Sequence, residues 1–138
     1  MGRILGLDPG AVRCGVAVSD SARTMAFPRP ALRAGPDLVA TISRMVDDES
    51  VDLVVIGRPV SLAGRETAST LAANALAHEL RAALTHATVL QWDERLTTAQ
   101  ATRQLRAAGR RAEEHRERVD SAAATVLLEH YLEALRAR

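Results

Sequence analysis

The spacing of apolar positions changes along the chain, and each change marks an element. Ile4, Leu5 and Leu7 form a short apolar run, Pro9-Gly10 is a turn signal, and Gly15-Val16-Ala17-Val18 resumes the run until Ser19-Asp20. This pattern predicts a β-hairpin. The next stretch, residues 24–32, carries Pro28 and Pro30. Proline has no N–H to give to a ladder, so the segment is predicted as an edge strand or a partly extended loop. From Pro36-Asp37 the period lengthens. Leu38, Ile42, Met45 and Val46 follow the i, i+4, i+7, i+8 spacing of one helical face, with Asp37 as N-cap. Val51, Leu53, Val54, Val55 and Ile56 make a nearly unbroken run rich in β-branched residues, the pattern of a strand covered on both faces. It ends at Gly57-Arg58-Pro59.

A helix is predicted over about 66–85, with Leu76, Leu80, Ala83 and Leu84 on one side, followed by a strand from Ala87 to Trp92. Thr97 with Gln100 has the form of a capping box, opening a helix that stops at Gly109. Residues 110–118 are polar or charged except for Ala112. A last helix runs from about Asp120 to Arg136, with Ala123, Val126, Leu127, Tyr131, Ala134 and Leu135 facing inward. The order β-β-β-α-β-α-β-α-α predicts an α/β fold: a five-stranded mixed sheet flanked by helices, in a single domain over residues 1–138.

Composition narrows this further. Hydrophobic residues are 47% of the chain, which is a globular rather than a disordered content, and aromatics are only 2%, so the core must be built from Ala, Val, Leu and Ile. Cys14 is the one cysteine, which rules out an intramolecular disulfide and fits a reducing cytoplasm. The N-terminus has no long apolar segment of a signal peptide, and no apolar run approaches the ~18 residues of a membrane span. The expected location is therefore cytoplasmic, with no membrane partner. The formal net charge is +1, and all 18 cationic residues are arginine. A GC-rich genome accounts for that bias, and so would phosphate recognition, which suits the guanidinium fork. The bias alone does not choose between them.

The candidate chemistry lies in three carboxylates far apart in sequence. Asp8 ends the first apolar run, Glu94 sits just past the last predicted strand, and Asp120 opens the final helix, where the peptide dipoles favour a negative charge. Functional groups in α/β sheets gather at strand ends. If the final helix packs across the sheet, all three could meet. Bare, they would repel and raise one another's pKa values. Mg²⁺ or Mn²⁺ would relieve that repulsion, and two such ions about 4 Å apart can activate a water and stabilise the leaving oxygen of a phosphodiester. Each residue also has an ordinary reading: Asp8 as a turn residue before Pro9-Gly10, Asp120 as a helix cap, and Asp93 and Glu94 as surface partners of Arg95.

The strings around these residues resemble a known family. Residues 4–20, from Ile4-Leu5-Gly6-Leu7-Asp8-Pro9-Gly10 to Ser19-Asp20, are similar to the opening motif of the YqgF/RuvX family of Holliday-junction-resolvase-like or pre-16S rRNA nucleases. Asp93-Glu94-Arg95-Leu96-Thr97-Thr98 resembles its most specific string, Gly57-x-Pro59 followed by Gly64 its central loop, and Val119-Asp120-x-Ala122-Ala123 its last helix. The resemblance implies an RNase H-like fold. It also implies that Asp8, Glu94 and Asp120 correspond to the family's acidic, metal-binding residues. Three positions depart from the pattern: Pro9 stands where an aromatic is common, Val12 where a basic residue is common, and Arg58 where an apolar residue is usual. The acidic set is untouched, so these departures bear on substrate contacts more than on chemistry.

Other residues are candidates for contact with substrate. Arg13 follows the first turn and could hold a phosphate or balance the acidic cluster; Arg95 adjoins Glu94. Arg103, Arg106, Arg110, Arg111, Arg116 and Arg118 are diluted by Glu113, Glu114 and Glu117, and form either a solvated loop or a phosphate clamp in which Arg110 and Arg111 stand nearest the middle. Trp92 could stack on a base, although a strand Trp more often packs in the core. Gly57–Gly64 lacks the Gly-Lys-Ser/Thr of a P-loop, the four histidines lack zinc spacing, Cys14 has no identifiable His partner, and no Gly-x-Ser-x-Gly is present.

Three functional classes follow. The first is a Mg²⁺- or Mn²⁺-dependent nuclease for structured nucleic acid, acting on pre-16S rRNA within ribosomal precursor particles or on branched DNA. The second is a phosphate-binding relative of actin-like ATPases, suggested by Leu7-Asp8-Pro9-Gly10, but those enzymes need two such domains. The third is a non-catalytic nucleic-acid-binding module, against which the intact acidic set argues. A resolvase would need a two-fold homodimer for paired cuts, whereas an end-trimming RNase could act as a monomer.

Overall fold

The computed structural model describes residues 2–59, 65–93 and 121–137. Five strands form one sheet: β1 (Arg3–Pro9), β2 (Arg13–Ser19), β3 (Ala26–Arg33), β4 (Val51–Arg58) and β5 (Thr88–Asp93). Among the described residues, three helices flank it: α1 (Leu38–Asp48), α2 (Ala68–Ala83) and α3 (Ala122–Arg136). The strand order is β3-β2-β1-β4-β5, which makes β1 the central strand. The hairpin pairs β1 with β2 antiparallel, and β3 adds to β2 antiparallel. The α1 and α2 crossovers deliver β4 and β5 parallel to β1. The mixed sheet read from the sequence is therefore the one observed.

The alternation of side chains across the sheet creates two cores. Leu5, Leu7, Val16, Val18, Val54 and Ile56 face Ile42 and Val46 of α1 and Ala73, Leu76, Ala77 and Leu80 of α2. Ile4, Ala17 and Val55 face Ala124, Leu128, Tyr131 and Leu132 of α3. Burial on both faces explains why β1 and β4 read as continuous apolar runs. Pro28 and Pro30 fall on β3, at the sheet edge, where a missing N–H costs least. Gly10 serves the turn after β1: a Cβ there would stand 2.7 Å from the Arg13 carbonyl oxygen.

Several local details differ from the sequence reading. Asp37 occupies the N-cap of α1, but its side chain caps nothing; the helix start is held by Thr41 N–H on the Asp37 carbonyl, 3.0 Å. The true side-chain cap belongs to α2, where Thr67 and Thr70 form a reciprocal capping box. The buried stripe of α2 is Thr70, Ala73, Leu76, Ala77 and Leu80, whereas Ala83, its last residue, is exposed. In α3 the buried set is Ala124, Leu127, Leu128, Tyr131 and Leu132, so the inward face is rotated from the expected one, and Ala123, Val126 and Ala134 are only half-buried. The run from Ala122 to Leu128 is apolar almost all round, so its periodicity alone could not set the phase. The helix predicted from Thr97 to Gly109 and the polar stretch 110–118 lie outside the described residues. Among the described residues, no helix is long and apolar enough to cross a membrane.

Candidate active site

Parallel pairing of β1, β4 and β5 brings their C-terminal ends to one edge of the sheet, the edge that also carries the start of β2. Asp8 lies there, next to last in the central strand. Ile4 and Gly6 face α3, and the two-residue period puts Asp8 on that same face. Its cross-strand partner on β2 is Gly15. On the other side, the β1–β4 ladder reaches Leu7↔Ile56, so the next step along brings Gly57 level with Asp8. Glycine on both flanks leaves the carboxylate without a neighbouring side chain in the plane of the sheet. Burial raises the Asp8 pKa to about 6. Removal from water disfavours the charged form.

The beginning of α3 is held close to this carboxylate. Gly6 permits a near approach: a Cβ there would stand 3.0 Å from the Leu128 Cβ and 3.4 Å from the Ala124 carbonyl oxygen. Ser121, the residue before α3, is buried, and its hydroxyl accepts the Val16 N–H at 2.9 Å while donating to the Arg29 carbonyl. Val16 adjoins Gly15, the residue facing Asp8. Sequence reasoning missed Ser121, since a serine at a helix start suggests only a cap.

Arg13 begins β2 and is exposed. Ala17 packs under α3, so stepping back by twos places Arg13 on the Asp8 face, beyond the end of the hairpin ladder. Arg33 of β3 stands opposite it. Cys14, on the other face, belongs to the α1–α2 core; burial and then the neighbouring Asp8 charge push its thiol up to about 12. Asp20 is a turn residue between β2 and β3. Its carboxylate accepts from the Thr24 hydroxyl and from the Met25 and Thr24 N–H groups, which holds its pKa down at about 2.

On the α2 face of the same edge lies a second group that sequence reasoning did not find. Asn74 Oδ1 accepts from Arg58 Nε at 3.2 Å and from Gln91 Nε2 at 2.8 Å, and Arg58 also pairs with Glu66 at 3.1 Å. The arginine that departs from the family pattern is thus engaged by α2 and the segment before it, and the network ties the ends of β4 and β5 together. Trp92 alternates back to the α3 face and packs edge-to-face on Tyr131, centroids 5.2 Å apart. It is therefore a packing residue.

Glu94, Arg95, Arg110, Arg111 and Asp120 lie outside the described residues. Of the three expected metal ligands, the structure describes Asp8. Among the described residues, no group of three His, Cys, Asp or Glu side chains could hold a metal ion.

Comparisons with known proteins agree with this architecture. The sequence profile of the RuvX family, described as Holliday junction resolvase, matches residues 2–134. A protein of Mycolicibacterium paratuberculosis named "Putative pre-16S rRNA nuclease" is 42% identical over 99% of this chain and 83% of its own length. Its namesake from Rubrobacter xylanophilus is 39% identical over 96% of this chain and 93% of its own. Among solved structures, Thermus thermophilus RuvC in complex with a Holliday junction substrate superposes with a TM-score of 0.59 at 13% identity, covering 99% of this chain and 96% of that one. The Fowlpox virus resolvase bound to Holliday junction DNA gives 0.58 at 10% identity, covering 96% and 98%. At such low identities the likeness extends to the fold, which is RNase H-like. By its full-length profile match and its close relatives, the chain belongs to the RuvX family.

Proposed function

We propose that this protein is a divalent-metal-dependent endonuclease acting in the cytoplasm on structured RNA, cutting at the 5′ side of the small-subunit rRNA precursor. The observation that carries the reading is Asp8: a desolvated carboxylate at the C-terminal end of the central strand, with glycine on either side, in a chain of the RuvX family.

Asp8 fits a hard divalent cation. It offers oxygen donors, and the space beside it is free of neighbouring strand side chains. Glu94 and Asp120 complete the proposed ligand set. Two features support their inclusion. Leu90 and Trp92 belong to the α3 core, so β5, whose last residue Asp93 precedes Glu94 in sequence, turns its alternate side chains to the Asp8 face. Asp120 is one peptide bond from Ser121, whose hydroxyl is bonded to Val16 beside the Asp8–Gly15 pair. When bound, Mg²⁺ or Mn²⁺ would supply a water of lowered pKa and positive charge for the phosphate oxygens. Asp8 would contribute carboxylate oxygens at the end of the central strand to accept that charge. Arg13, exposed on the same face, is proposed to hold a flanking phosphate, as are Arg95, Arg110 and Arg111.

The test is cleavage of a panel of pre-16S rRNA fragments and four-way DNA junctions in Mg²⁺ and Mn²⁺, by wild type and Asp8→Asn. The expected result is metal-dependent cutting of pre-rRNA by wild type, its abolition in the variant, and substrate binding within about threefold. Full activity of Asp8→Asn would remove Asp8 from the chemistry. Cleavage of junctions alone would establish a resolvase, and binding to the whole panel without cleavage would establish a non-catalytic module.

A further inference from the structure

We infer that Ser121 is a positioning residue of the active site: its hydroxyl fixes the start of α3 against the strand that faces Asp8. The inference rests on the reading above, in which Asp120 is a metal ligand.

The argument begins with what Ser121 does not do. It occupies the N-cap of α3, where a serine ordinarily accepts a hydrogen bond from the first-turn N–H groups of its own helix, worth about 1 kcal/mol. Here the side chain makes no cap bond. The first turn is instead held through the Ser121 carbonyl, which accepts from the Thr125 N–H at 2.9 Å and the Thr125 hydroxyl at 2.8 Å. The serine hydroxyl is turned out of the helix and into the sheet.

What it meets there is a defect in the ladder. The β2–β3 pairing shifts register between Cys14 and Val16: Cys14 faces Leu32, but Val16 faces Arg29, so one extra residue lies on β3. Ser121 Oγ links the two strands at this bulge, accepting from Val16 N–H at 2.9 Å and donating to the Arg29 carbonyl. Bulges concentrate near active sites, where they re-aim a side chain or end a pairing. The Val16 N–H is buried and the Arg29 carbonyl partly so, and a hydroxyl is the smallest side-chain group that can donate and accept at once. Only 3% of Ser121 is accessible, so water cannot take over without repacking.

The consequence is positional. Val16 is covalently next to Gly15, and Gly15 faces Asp8 across the β1–β2 ladder. The Ser121 bond therefore references the start of α3 to the strand lying beside the Asp8 carboxylate. Gly6 sets how near the body of the helix lies, at Leu128 and Ala124, while Ser121 sets where along the sheet it begins. Asp120, the proposed ligand, is joined to Ser121 by a single peptide bond. Groups that orient metal ligands typically cost 10–100-fold in metal affinity or activity when removed.

The experiment measures Mn²⁺ affinity of the full chain from the electron paramagnetic resonance of free Mn²⁺, with folded fraction checked by circular dichroism. Four proteins are compared: wild type, Ser121→Ala, Ser121→Cys and Asp120→Asn. We expect Ser121→Ala to bind Mn²⁺ at least tenfold more weakly than wild type while folded. Ser121→Cys keeps the shape but offers only weak hydrogen bonds, so it should fall between the two. It also carries the test alone if the alanine variant does not fold. Serine variants within twofold of wild type, beside an Asp120→Asn variant that loses affinity, would overturn the role of Ser121 and leave the metal site standing. Wild-type affinity in Asp120→Asn would overturn the ligand assignment itself, and the Ser121 inference with it.

Discussion

A methyl group on Gly6 would lie 3.0 Å from the Cβ of Leu128, closer than side-chain carbons normally approach. The central strand and α3 are therefore in backbone-to-side-chain contact directly beneath the proposed site. Gly6→Ala should push α3 outward by a few tenths of an ångström and destabilise the protein by about 1–3 kcal/mol, the usual cost of overpacking a dense core. Gly6→Val should prevent folding at 37 °C. Urea unfolding followed by circular dichroism reads both. A Gly6→Ala variant as stable as wild type would mean that α3 does not sit this close.

Asp8 makes stability depend on pH in the direction opposite to a salt-bridged carboxylate. Its folded pKa is raised from 3.8 to about 6, so the folded state holds the proton more tightly than the unfolded chain. Stability is then greatest below pH 4 as far as this group is concerned, falls as pH rises from about 4 to 6, and is flat above. In metal-free buffer, Asp8→Asn should be more stable than wild type at pH 8 by roughly 1–3 kcal/mol, and the two should converge toward pH 4. Asp20 acts in the opposite sense. Its pKa is held at about 2 by its turn hydrogen bonds, so its contribution is present above pH 4 and is lost as pH falls to 2. The Asp8→Asn difference isolates the Asp8 effect from that one.

Cys14 should be chemically silent. Its thiol is fully buried in the α1–α2 core and burial pushes its pKa up to about 12, so almost no thiolate exists at neutral pH. A thiol-specific disulfide reagent should react with the native protein at pH 8 at least 100-fold more slowly than with protein unfolded in guanidinium. Equal rates would show that the hairpin opens readily around Cys14.

The fold was legible in the sequence wherever a long pattern had one interpretation. The β1–β2 hairpin followed from Leu7-Asp8-Pro9-Gly10, the two-sided burial of β4 from Val54-Val55-Ile56, and the edge placement of β3 from Pro28 and Pro30. The inward face of α3 was not legible, because Ala122 to Leu128 is apolar nearly all round and three-dimensional anchoring decides its phase. That anchoring comes from Ser121, whose partners Val16 and Arg29 are 105 and 92 residues away. Asn74 is similar: nothing local in α2 distinguishes it until Arg58 and Gln91 converge on its carbonyl oxygen. Asp8 could be singled out because its strand-end position and its surrounding string coincide. Short local patterns thus placed the elements, whereas the contacts that set distances around the site connect residues remote in sequence.

Metal addition should distinguish the folded site from an ordinary acidic surface. If Asp8 is a ligand, a cation that binds only the folded chain stabilises it by RT ln(1 + [L]/Kd), about 2.7 kcal/mol at 100-fold excess over Kd. For a domain of this size that corresponds to a rise in Tm of roughly 10 °C. The expected outcome is a Tm that climbs with Mn²⁺ in wild type at pH 8 and returns to its starting value on addition of EDTA. Asp8→Asn should begin from a higher Tm, because its buried charge is gone, and should gain less than a third of that increment. The two curves should therefore cross as Mn²⁺ is raised. Parallel curves, with Asp8→Asn gaining as much as wild type, would place the bound cation elsewhere and leave the Asp8 carboxylate as a purely structural cost.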